Sequence, residues 1–214
     1  MQLFGYYRSS ATYRIRIVLN VKKLDWQYQP VSLIDSEQKS DAFRKLNPAG
    51  LVPVLDTGEA VLAQSAAIAE FLEEKHKSPA LLPEGAIARA RIREMMNTIG
   101  CDVHPLQNLR VLKYLQSEYS QDEAGVARWC REWIAAGFRT FESLVAKHSS
   151  ERRYCFGDGL TLADAWLIPQ VYNARRFELD LAPFPIITAI DQHCSRLGAF
   201  VDAHPDRQVD SPKR

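Results

Sequence analysis

The sequence predicts two domains of different fold class, an α/β domain followed by an all-α domain. Residues 1–76 alternate short apolar strands with helical patterns, whereas from residue 87 onward the apolar residues recur only at helical spacing. A polar segment with two prolines, residues 77–86, separates these patterns and is typical of a linker. With 214 residues in all, each domain has enough chain to bury a core. The predicted domains are therefore 1–76 and 87–214.

The composition indicates a soluble globular protein with no bulk electrostatic preference for a partner. Hydrophobic residues make up 46% of the chain and charged residues 25%. The 27 Lys and Arg against 26 Asp and Glu leave a net charge of +1, so no overall field draws the chain to nucleic acid or a membrane. No basic region precedes an apolar run at the N-terminus, and no apolar stretch is long enough to span a bilayer. We therefore expect a cytosolic protein.

The cysteines give no sign of a metal site or a disulfide framework. Cys101, Cys130, Cys155 and Cys194 lie far apart and form no CxxC pair. That spacing argues against a structural zinc site, and the cytosolic context argues against disulfides. We expect buried, reduced thiols and no bound metal.

The first domain begins with a β-α-β unit. Leu3–Tyr6 is predicted as a strand, Thr12–Lys22 as a half-buried helix, and Trp26–Val31 as a second strand with alternating large residues. A β-α-β connection implies that its two strands are parallel. A short helix ending near Leu46 and the break Asn47–Gly50 follow.

A hairpin with a proline in its first strand comes next. Leu51–Leu55 and Ala60–Leu62 are joined by a turn at Asp56–Glu59, which predicts the hairpin. Pro53 cannot donate to a sheet ladder, so it marks an edge, a strand start or a bulge. Val52 is then free to pair through its backbone with an extended, peptide-like ligand. Composition alone gives a cis Val52–Pro53 bond about one chance in twenty.

The second domain is predicted to contain four helices. They are Ile87–Gln116, Glu123–Lys147, one that begins near Thr161, and Ile186–Phe200. Gly100 and Pro105 are expected to bend the first helix, and Pro169 to kink the third. Thr161 and Asp164 have the spacing of a capping box. Residues 203–214 form a polar tail with little to bury.

The serine corner, Arg8–Thr12, lies where the first strand gives way to the first helix. The N–H groups of a first helical turn have no acceptor in the helix and the dipole there is positive, so the corner favours an anion, including a thiolate. The alternative is that Ser10 or Thr12 only caps the helix. Gln64 and Ser65 lie at the start of the third helix, and the N-terminus of that helix favours a carboxylate. The alternative is that Ser65 only caps this helix.

Short motifs spread over nearly the whole chain carry a family resemblance. The run Ser9-Ser10-Ala11-Thr12-Tyr13-Arg14-Ile15-Arg16-Ile17-Val18-Leu19 is similar to the signature Ser-Ser-Cys-x-Trp-Arg-Val-Arg-Ile-Ala-Leu of the zeta class of cytosolic glutathione transferases. Further matching motifs are Leu46-Asn47-Pro48, Val52-Pro53, Gln64-Ser65, Pro105-Leu106-Gln107-Asn108, Pro169-Gln170-Val171, Arg175-Arg176-Phe177 and Asp180-Leu181. The resemblance implies a thioredoxin-like first domain, an all-helical second domain and the glutathione transferase architecture.

One departure from the signature bears on the chemistry. The family's cysteine is Ala11 here, so no protein thiol can act at that position. Glutathione must then bring the only active-site sulfur, unless Cys101 approaches. Tyr13 replaces the common tryptophan and keeps an aromatic side chain.

The resemblance implies a glutathione site and assigns residues to it. Ser9 and Ser10 are the candidate catalytic residues, near the sulfur. Val52 would pair with the cysteinyl backbone beside a cis Pro53, and Gln64 would hold the γ-glutamyl carboxylate together with Ser65. The implied glutathione-binding residues are Ser9, Ser10, Ala11, Thr12, Tyr13, Arg14, Gln38, Val52, Pro53, Gln64, Ser65, His104, Asn108, Leu109 and Arg110. Gln38 would lie at the glycyl end, and the last four would line the wall that the helical domain contributes.

The resemblance also implies the reaction, a glutathione-dependent cis-trans isomerisation of maleylacetoacetate to fumarylacetoacetate, or of maleylpyruvate. A thiolate adds to the cis double bond, the resulting single bond rotates, and loss of the thiolate leaves the trans product. The enzyme must keep the sulfur ionised although the pKa of a free thiol is about 8.5, and must stabilise an enolate. Arg8, Arg110 and Arg176 are the candidates for gripping the dicarboxylate, because guanidinium groups bind carboxylates bidentately.

Alternatives remain open at this point. Because Arg176 follows Arg175, one of the two is expected to be a surface or salt-bridged residue. A general glutathione transferase acting on electrophiles such as α-halo acids is a second class, distinguished by whether Arg8, Arg110 and Arg176 converge on one pocket. A non-catalytic binding module is a third. The resemblance also implies a homodimer, with a role in tyrosine and phenylalanine breakdown or in gentisate breakdown.

Overall fold

The computed structural model describes residues 1–212. It divides into two compact units, one made of Met1–Ala80 and the chain from Arg196 onward, the other of Leu81–Ser195. The predicted second domain, 87–214, differs from this division at both ends. Leu81 is buried and belongs with the second unit. The last segment packs with the first unit because its polar groups bond to the first helix, as described below.

The helices alternate with strands in the first unit and follow one another in the second. In chain order they are α1 (Ser10–Val21), α2 (Asp41–Leu46), α3 (Ser65–Lys75), α4 (Ala86–Asn97), α5 (Leu109–Glu118), α6 (Glu123–His148), α7 (Leu162–Arg176), α8 (Pro185–Cys194) and α9 (Gly198–Ala203). None of the helices within residues 1–212 is both long and apolar enough to cross a membrane.

A four-stranded mixed sheet forms the centre of the first unit. Its strands β1 (Gln2–Gly5), β2 (Gln27–Pro30), β3 (Val54–Asp56) and β4 (Val61–Ala63) lie in the order β2-β1-β3-β4. β1 runs parallel to β2, and β3 runs antiparallel to both β1 and β4. The predicted parallel pair and hairpin are confirmed. Pro53 does not interrupt the ladder, because β3 begins only at Val54.

Helix α1 is buried on almost every side. Ile15, Val18 and Leu19 form the predicted apolar face, but α3 and α9 also pack against the helix. The approach of α1 to β1 requires a glycine, since a Cβ at Gly5 would lie 2.2 Å from Cγ2 of Thr12. The half-buried helix predicted from the sequence is therefore an almost fully buried one.

Two predicted helices of the second half are broken. Instead of one bent helix, Ile87–Gln116 contains α4, a π-helical segment Thr98–Val103, a 3₁₀ turn His104–Gln107 and α5. The proline at position 105 lacks an N–H donor, which favours a break over a bend. The predicted helix Ile186–Phe200 divides into α8 and α9, whereas α7 continues through Pro169.

Helix α7 begins at a buried carboxylate that accepts three hydrogen bonds. Thr161 donates to Oδ2 of Asp164 through its backbone N–H (2.8 Å) and its hydroxyl (2.9 Å), and the Cys155 N–H donates to Oδ1 (2.7 Å). The predicted capping box is confirmed. Burial raises the pKa of Asp164, although the hydrogen bonds from Thr161 and Cys155 oppose that rise.

The cysteines are all free thiols, and three of the four are buried. Burial raises the pKa of Cys130 to about 12 and also raises the pKa values of Cys155 and Cys194. Cys101 is exposed, contrary to the expectation, because it lies on the outer side of the π-helical segment, whose buried residues are Thr98, Ile99 and Val103. Within residues 1–212, no three His, Cys, Asp or Glu side chains group as metal ligands.

Candidate active site

Ser9 occupies the N-cap of α1. Its Oγ accepts a hydrogen bond from the Thr12 N–H at 3.2 Å, and its carbonyl accepts from the Tyr13 N–H at 2.9 Å. The capping role that the sequence offered to Ser10 or Thr12 thus falls to Ser9, because the helix starts two residues earlier than predicted. The Ser9 hydroxyl accepts in this cap, so its own O–H hydrogen remains able to donate.

The first turn of α1 provides backbone donors beside that hydroxyl. Ser10 and Ala11 are its first two residues, and their backbone N–H groups lie at the positive end of the helix dipole. Ala11 contributes only a methyl group, while Arg8 is exposed just before the helix. The serine corner therefore combines a hydroxyl donor, the positive end of a helix and a nearby cation, which together favour an anion.

The N-terminus of α3 lies within reach of a side chain from α1. Gln64 is the N-cap of α3 and Ser65 its first residue, so the alternative that Ser65 only caps the helix is wrong. Buried Arg14 donates from Nη1 to Oγ of Ser65 at 3.3 Å. Gln64 is exposed and adopts φ +70°, a strained conformation for a residue with a side chain. Strain of this kind concentrates at functional sites.

Three further predicted residues, Val52, Pro53 and Gln38, lie elsewhere in the first unit. The Val52–Pro53 bond is cis, as the resemblance implied, and Val52 is half-buried just before β3. Gln38 is buried in the 3₁₀ turn Glu37–Lys39. Its Oε1 has no hydrogen-bond partner among residues 1–212, so it offers a buried acceptor.

The helical wall predicted from the sequence corresponds to the start of α5. Asn108 is the N-cap of this helix, and its Oδ1 accepts from the Arg110 N–H at 3.2 Å. Leu109 and Arg110 are exposed in the first turn, and His104 lies on the preceding 3₁₀ turn. These four side chains therefore share one short stretch of the second unit.

A chain of buried amides leads to Arg176. Oε1 of Gln107 accepts hydrogen bonds from the side-chain amides of Gln170 and Asn173, and Oδ1 of Asn173 accepts from Nη1 of Arg176 at 2.9 Å. Arg175 instead pairs with Asp191 at 2.5 Å, which identifies it as the salt-bridged member of the two arginines. Sequence reasoning missed Gln107 and Asn173 as supports for Arg176. A signal was present for Gln107, which belongs to one of the matching motifs.

Comparisons with known proteins agree with this geometry. Residues 8–75 match the family profile described as the glutathione S-transferase N-terminal domain. A maleylpyruvate isomerase from Ralstonia sp is 48% identical, and the alignment covers 99% of this chain and 100% of that protein. A solved structure described as the holo form of a maleylpyruvate isomerase, a bacterial zeta-class glutathione transferase, matches with a TM-score of 0.97, 48% identity and coverage of 99% and 100%. The chain belongs to the zeta class of glutathione transferases.

A relative has also been solved with glutathione bound. A maleylacetoacetate isomerase from Anaeromyxobacter dehalogenans with bound glutathione is 40% identical, with a TM-score of 0.88 and coverage of 99% of this chain and 97% of that one. The predicted glutathione transferase architecture is confirmed, with a thioredoxin-like first unit and helices from α4 to α8 in the second.

The residues of this glutathione transferase fit its family's cofactor. Glutathione carries one thiol and two carboxylates on a peptide backbone. The first unit offers two helix N-termini, at Ser9 and Gln64, joined through the hydrogen bond between Arg14 and Ser65. Val52 lies just outside the ladder, before the cis bond to Pro53. Donors that suit a thiolate and donors that suit a carboxylate are thus both present in one unit.

Proposed function

We propose that this chain is a glutathione-dependent cis-trans isomerase of maleyl compounds that converts maleylacetoacetate to fumarylacetoacetate. The observation that carries the proposal is the serine corner, where Ser9 and a helix N-terminus favour a thiolate while Ala11 leaves no protein sulfur. When bound, glutathione supplies the thiolate that adds to the substrate double bond and leaves after rotation. The reaction is redox-neutral, and the protein's task is to hold charge and orient groups.

The serine corner would stabilise the ionised sulfur. A thiol with a pKa of about 8.5 is mostly protonated at neutral pH, so donors that favour the thiolate are needed. Ser9 can donate its O–H while its oxygen keeps the cap to Thr12. The amides of Ser10 and Ala11 add the positive end of the helix. Ser9 is the leading candidate for the catalytic donor, with Ser10 as the second.

Arginines would hold the dicarboxylate and the negative charge that develops on the substrate carbonyl. Arg176 suits this role because its Nη1 is fixed by Asn173, which leaves the planar guanidinium oriented. Arg8 and Arg110 are exposed, each next to a helix N-terminus. A cation held in place, as Arg176 is by Asn173, stabilises developing charge without reorganising during the reaction.

The other glutathione contacts remain part of the proposal. Val52 and Pro53 would face the peptide backbone of glutathione, Gln38 its glycyl end, and Gln64 its γ-glutamyl carboxylate together with Ser65. The helical-wall residues would be His104, Asn108, Leu109 and Arg110. The strained backbone of Gln64 and the buried acceptor of Gln38 support two of these assignments.

Maleylpyruvate is the second candidate substrate. It is favoured by the 48% identity to the Ralstonia maleylpyruvate isomerase, against 40% to the Anaeromyxobacter maleylacetoacetate isomerase. Both substrates carry the same activated cis double bond between acid groups, so the serine corner and the arginines would act in the same way on either.

Side-by-side assays of the two maleyl acids test the proposal. Isomerisation is followed by ultraviolet absorbance, with and without glutathione. We expect strong turnover of one acid that depends on glutathione, and its identity assigns the pathway. If neither acid is turned over while glutathione still binds, the isomerase proposal is wrong and conjugation of electrophiles replaces it.

Replacing Ser9 tests the source of thiolate stabilisation. Ser9→Ala should raise the pKa of the bound glutathione thiol, and a rise of one in that pKa would lower the thiolate fraction and the rate at neutral pH by about tenfold. Ser40→Ala is the matched control, because Ser40 caps α2 through the same 3.2 Å hydrogen bond, to the Phe43 N–H. An unchanged pH–rate profile in Ser9→Ala would move the role to Ser10 or to the helix amides.

Three features beyond the site belong to the same proposal. The chain would act as a homodimer in the cytoplasm, within tyrosine and phenylalanine breakdown for maleylacetoacetate or gentisate breakdown for maleylpyruvate. Sedimentation equilibrium of the purified chain would distinguish a dimer from a monomer. Family membership and the near-neutral net charge of +1 support a small-molecule role without nucleic acid or membrane.

A further inference from the structure

The backbone of Tyr7 is held on both sides by side chains. Its N–H donates to Oδ2 of Asp210 at 2.8 Å, and its carbonyl accepts from Nη2 of Arg16 at 2.9 Å. Tyr7 lies two residues before Ser9, and the Ser9 N–H donates to the Tyr6 carbonyl at 3.0 Å. The turn that delivers Ser9 to the start of α1 is therefore anchored by groups outside that turn.

Arg16 connects this turn to the end of the chain. It is fully buried, and its Nε donates to the carbonyl of Ala203 at 2.9 Å while Nη2 holds Tyr7. Its guanidinium carbon lies 5.3 Å from the ring centre of Tyr13 and 5.9 Å from that of Tyr28. Burial lowers the pKa of Arg16, and the charge of Asp210 partly offsets that cost.

The segment 196–212 docks on α1 and β2 through several polar contacts. Asn20 donates from Nδ2 to the Ala199 carbonyl at 3.1 Å, and the Tyr28 hydroxyl donates to Oδ2 of Asp210 at 3.2 Å. Burial, together with Asp210, raises the pKa of Tyr28, so that hydroxyl remains a donor. One carboxylate oxygen of Asp210 thus joins the sheet and the turn before Ser9.

We infer that Asp210 and Arg16 are positioning residues, which clamp the Tyr7 peptide and so fix Ser9 and the first amides of α1 against the glutathione sulfur. The inference rests on the proposed function, because it assigns a task to the serine corner. Thiolate stabilisation is sensitive to such positioning, since a misplacement of about 1 Å can cost about a hundredfold in rate. The clamp acts through Tyr7 and touches no reacting atom.

Two substitutions at Asp210 separate geometry from charge. Asp210→Ala removes the acceptor for the Tyr7 N–H, whereas Asp210→Asn keeps an acceptor oxygen and removes only the charge. The loss of a negative charge alone would lower the pKa of the bound thiol. We therefore expect a higher thiol pKa and a lower kcat in Asp210→Ala only, with Asp210→Asn close to the unaltered protein.

The thiol pKa is measured from the thiolate absorbance of bound glutathione as the pH is varied, alongside kcat, the KM for glutathione and Tm. The expected rise of that pKa in Asp210→Ala is about 0.5 or more, which is about a threefold loss of thiolate at neutral pH. Asp202→Ala is the control, because that carboxylate lies in the same segment, is 69% exposed and faces Arg207 at 3.6 Å rather than the Tyr7 turn.

Several outcomes would overturn the inference. Equal downward shifts in Asp210→Ala and Asp210→Asn would mean that Asp210 acts by charge alone. If Asp210→Ala lowered Tm but left the thiol pKa and kcat unchanged, Asp210 would have only a structural role. The thiol measurement requires only bound glutathione, so it holds even if neither maleyl acid is turned over. Failure of the unaltered protein to bind glutathione would overturn both the inference and the proposed function.

Discussion

Arg176→Ala is expected to lower kcat/KM for the maleyl substrate by about a hundredfold while leaving glutathione affinity nearly unchanged. A guanidinium that grips a carboxylate makes two charge-assisted hydrogen bonds, each worth about 1.5 kcal/mol or more. Their loss removes about 3 kcal/mol of transition-state stabilisation, which is about a hundredfold in rate. Steady-state kinetics on the substrate that is turned over, with calorimetric titration of glutathione, measure the two effects separately.

Arg175→Ala is the matched control for that variant. Arg175 and Arg176 are both exposed at the same end of α7, but Arg175 pairs with Asp191 instead of Asn173. Because Asp191 is buried, losing this partner lowers stability, but turnover should stay near that of the unaltered protein since Asn173 holds Arg176 rather than Arg175. Arg176→Lys should keep the charge but lose the bidentate geometry, and should fall between the two. Full turnover in Arg176→Ala would remove this residue from the substrate site.

Much of the first unit could be predicted because its signals are local. The parallel pair β1–β2 and the hairpin β3–β4 follow from a β-α-β pattern and a turn, each visible within about 30 residues of sequence, whereas the pairing of β1 with β3 was not predicted. Pro53 marked the point where the ladder stops, and β3 indeed starts after it. The cap is Ser9 rather than Ser10 or Thr12, because several adjacent Ser and Thr side chains can all cap a helix.

The C-terminal segment could not be predicted in the same way. Its anchors are backbone carbonyls and one carboxylate, and Asp210 meets the Tyr7 N–H across 203 positions of sequence. Hydrophobic periodicity gives no information about hydrogen bonds of this kind. Residues 203–214 contain few apolar side chains, so the sequence predicted that this segment has little to bury. Periodicity likewise does not show the support of Arg176 by Gln107, because it depends on side-chain amides from a 3₁₀ turn and from α7; the motif that contains Gln107 was its one sequence signal.

The break between α4 and α5 shows a second limit of periodicity. Apolar residues continue at helical spacing through Ile99 and Val103, and both are buried, although the backbone there is π-helical. A π-helical turn contains only about one residue more than an α-helical turn, so these apolar residues still face inward. The spacing of apolar residues in the sequence therefore does not reveal the π-helical segment. The turn that follows is fixed by a contact across the unit, from Nε1 of Trp129 to the Leu106 carbonyl at 2.8 Å.

Asp164→Ala is expected to cause a larger loss of stability than any other substitution named above. It leaves the buried N–H groups of Thr161 and Cys155 without their acceptor, at about 1–3 kcal/mol each, so the free energy of unfolding should fall by about 3–5 kcal/mol. Asp122→Ala is the control, because the exposed Asp122 side chain caps α6 by accepting one hydrogen bond, from the Gly125 N–H, and its loss should cost only about 1 kcal/mol.

The pH dependence of that loss provides an independent test, because burial raises the pKa of Asp164 above its ordinary value in the folded state. The folded protein then binds this proton more tightly than the unfolded chain, so the contribution of Asp164 to stability declines as the pH rises between the two pKa values. The difference in unfolding free energy between the unaltered protein and Asp164→Ala, measured by denaturant titration, should thus be largest at acid pH and shrink toward neutrality. A difference that grows with pH would mean that the hydrogen bonds from Thr161 and Cys155 outweigh the cost of burial and lower the pKa instead.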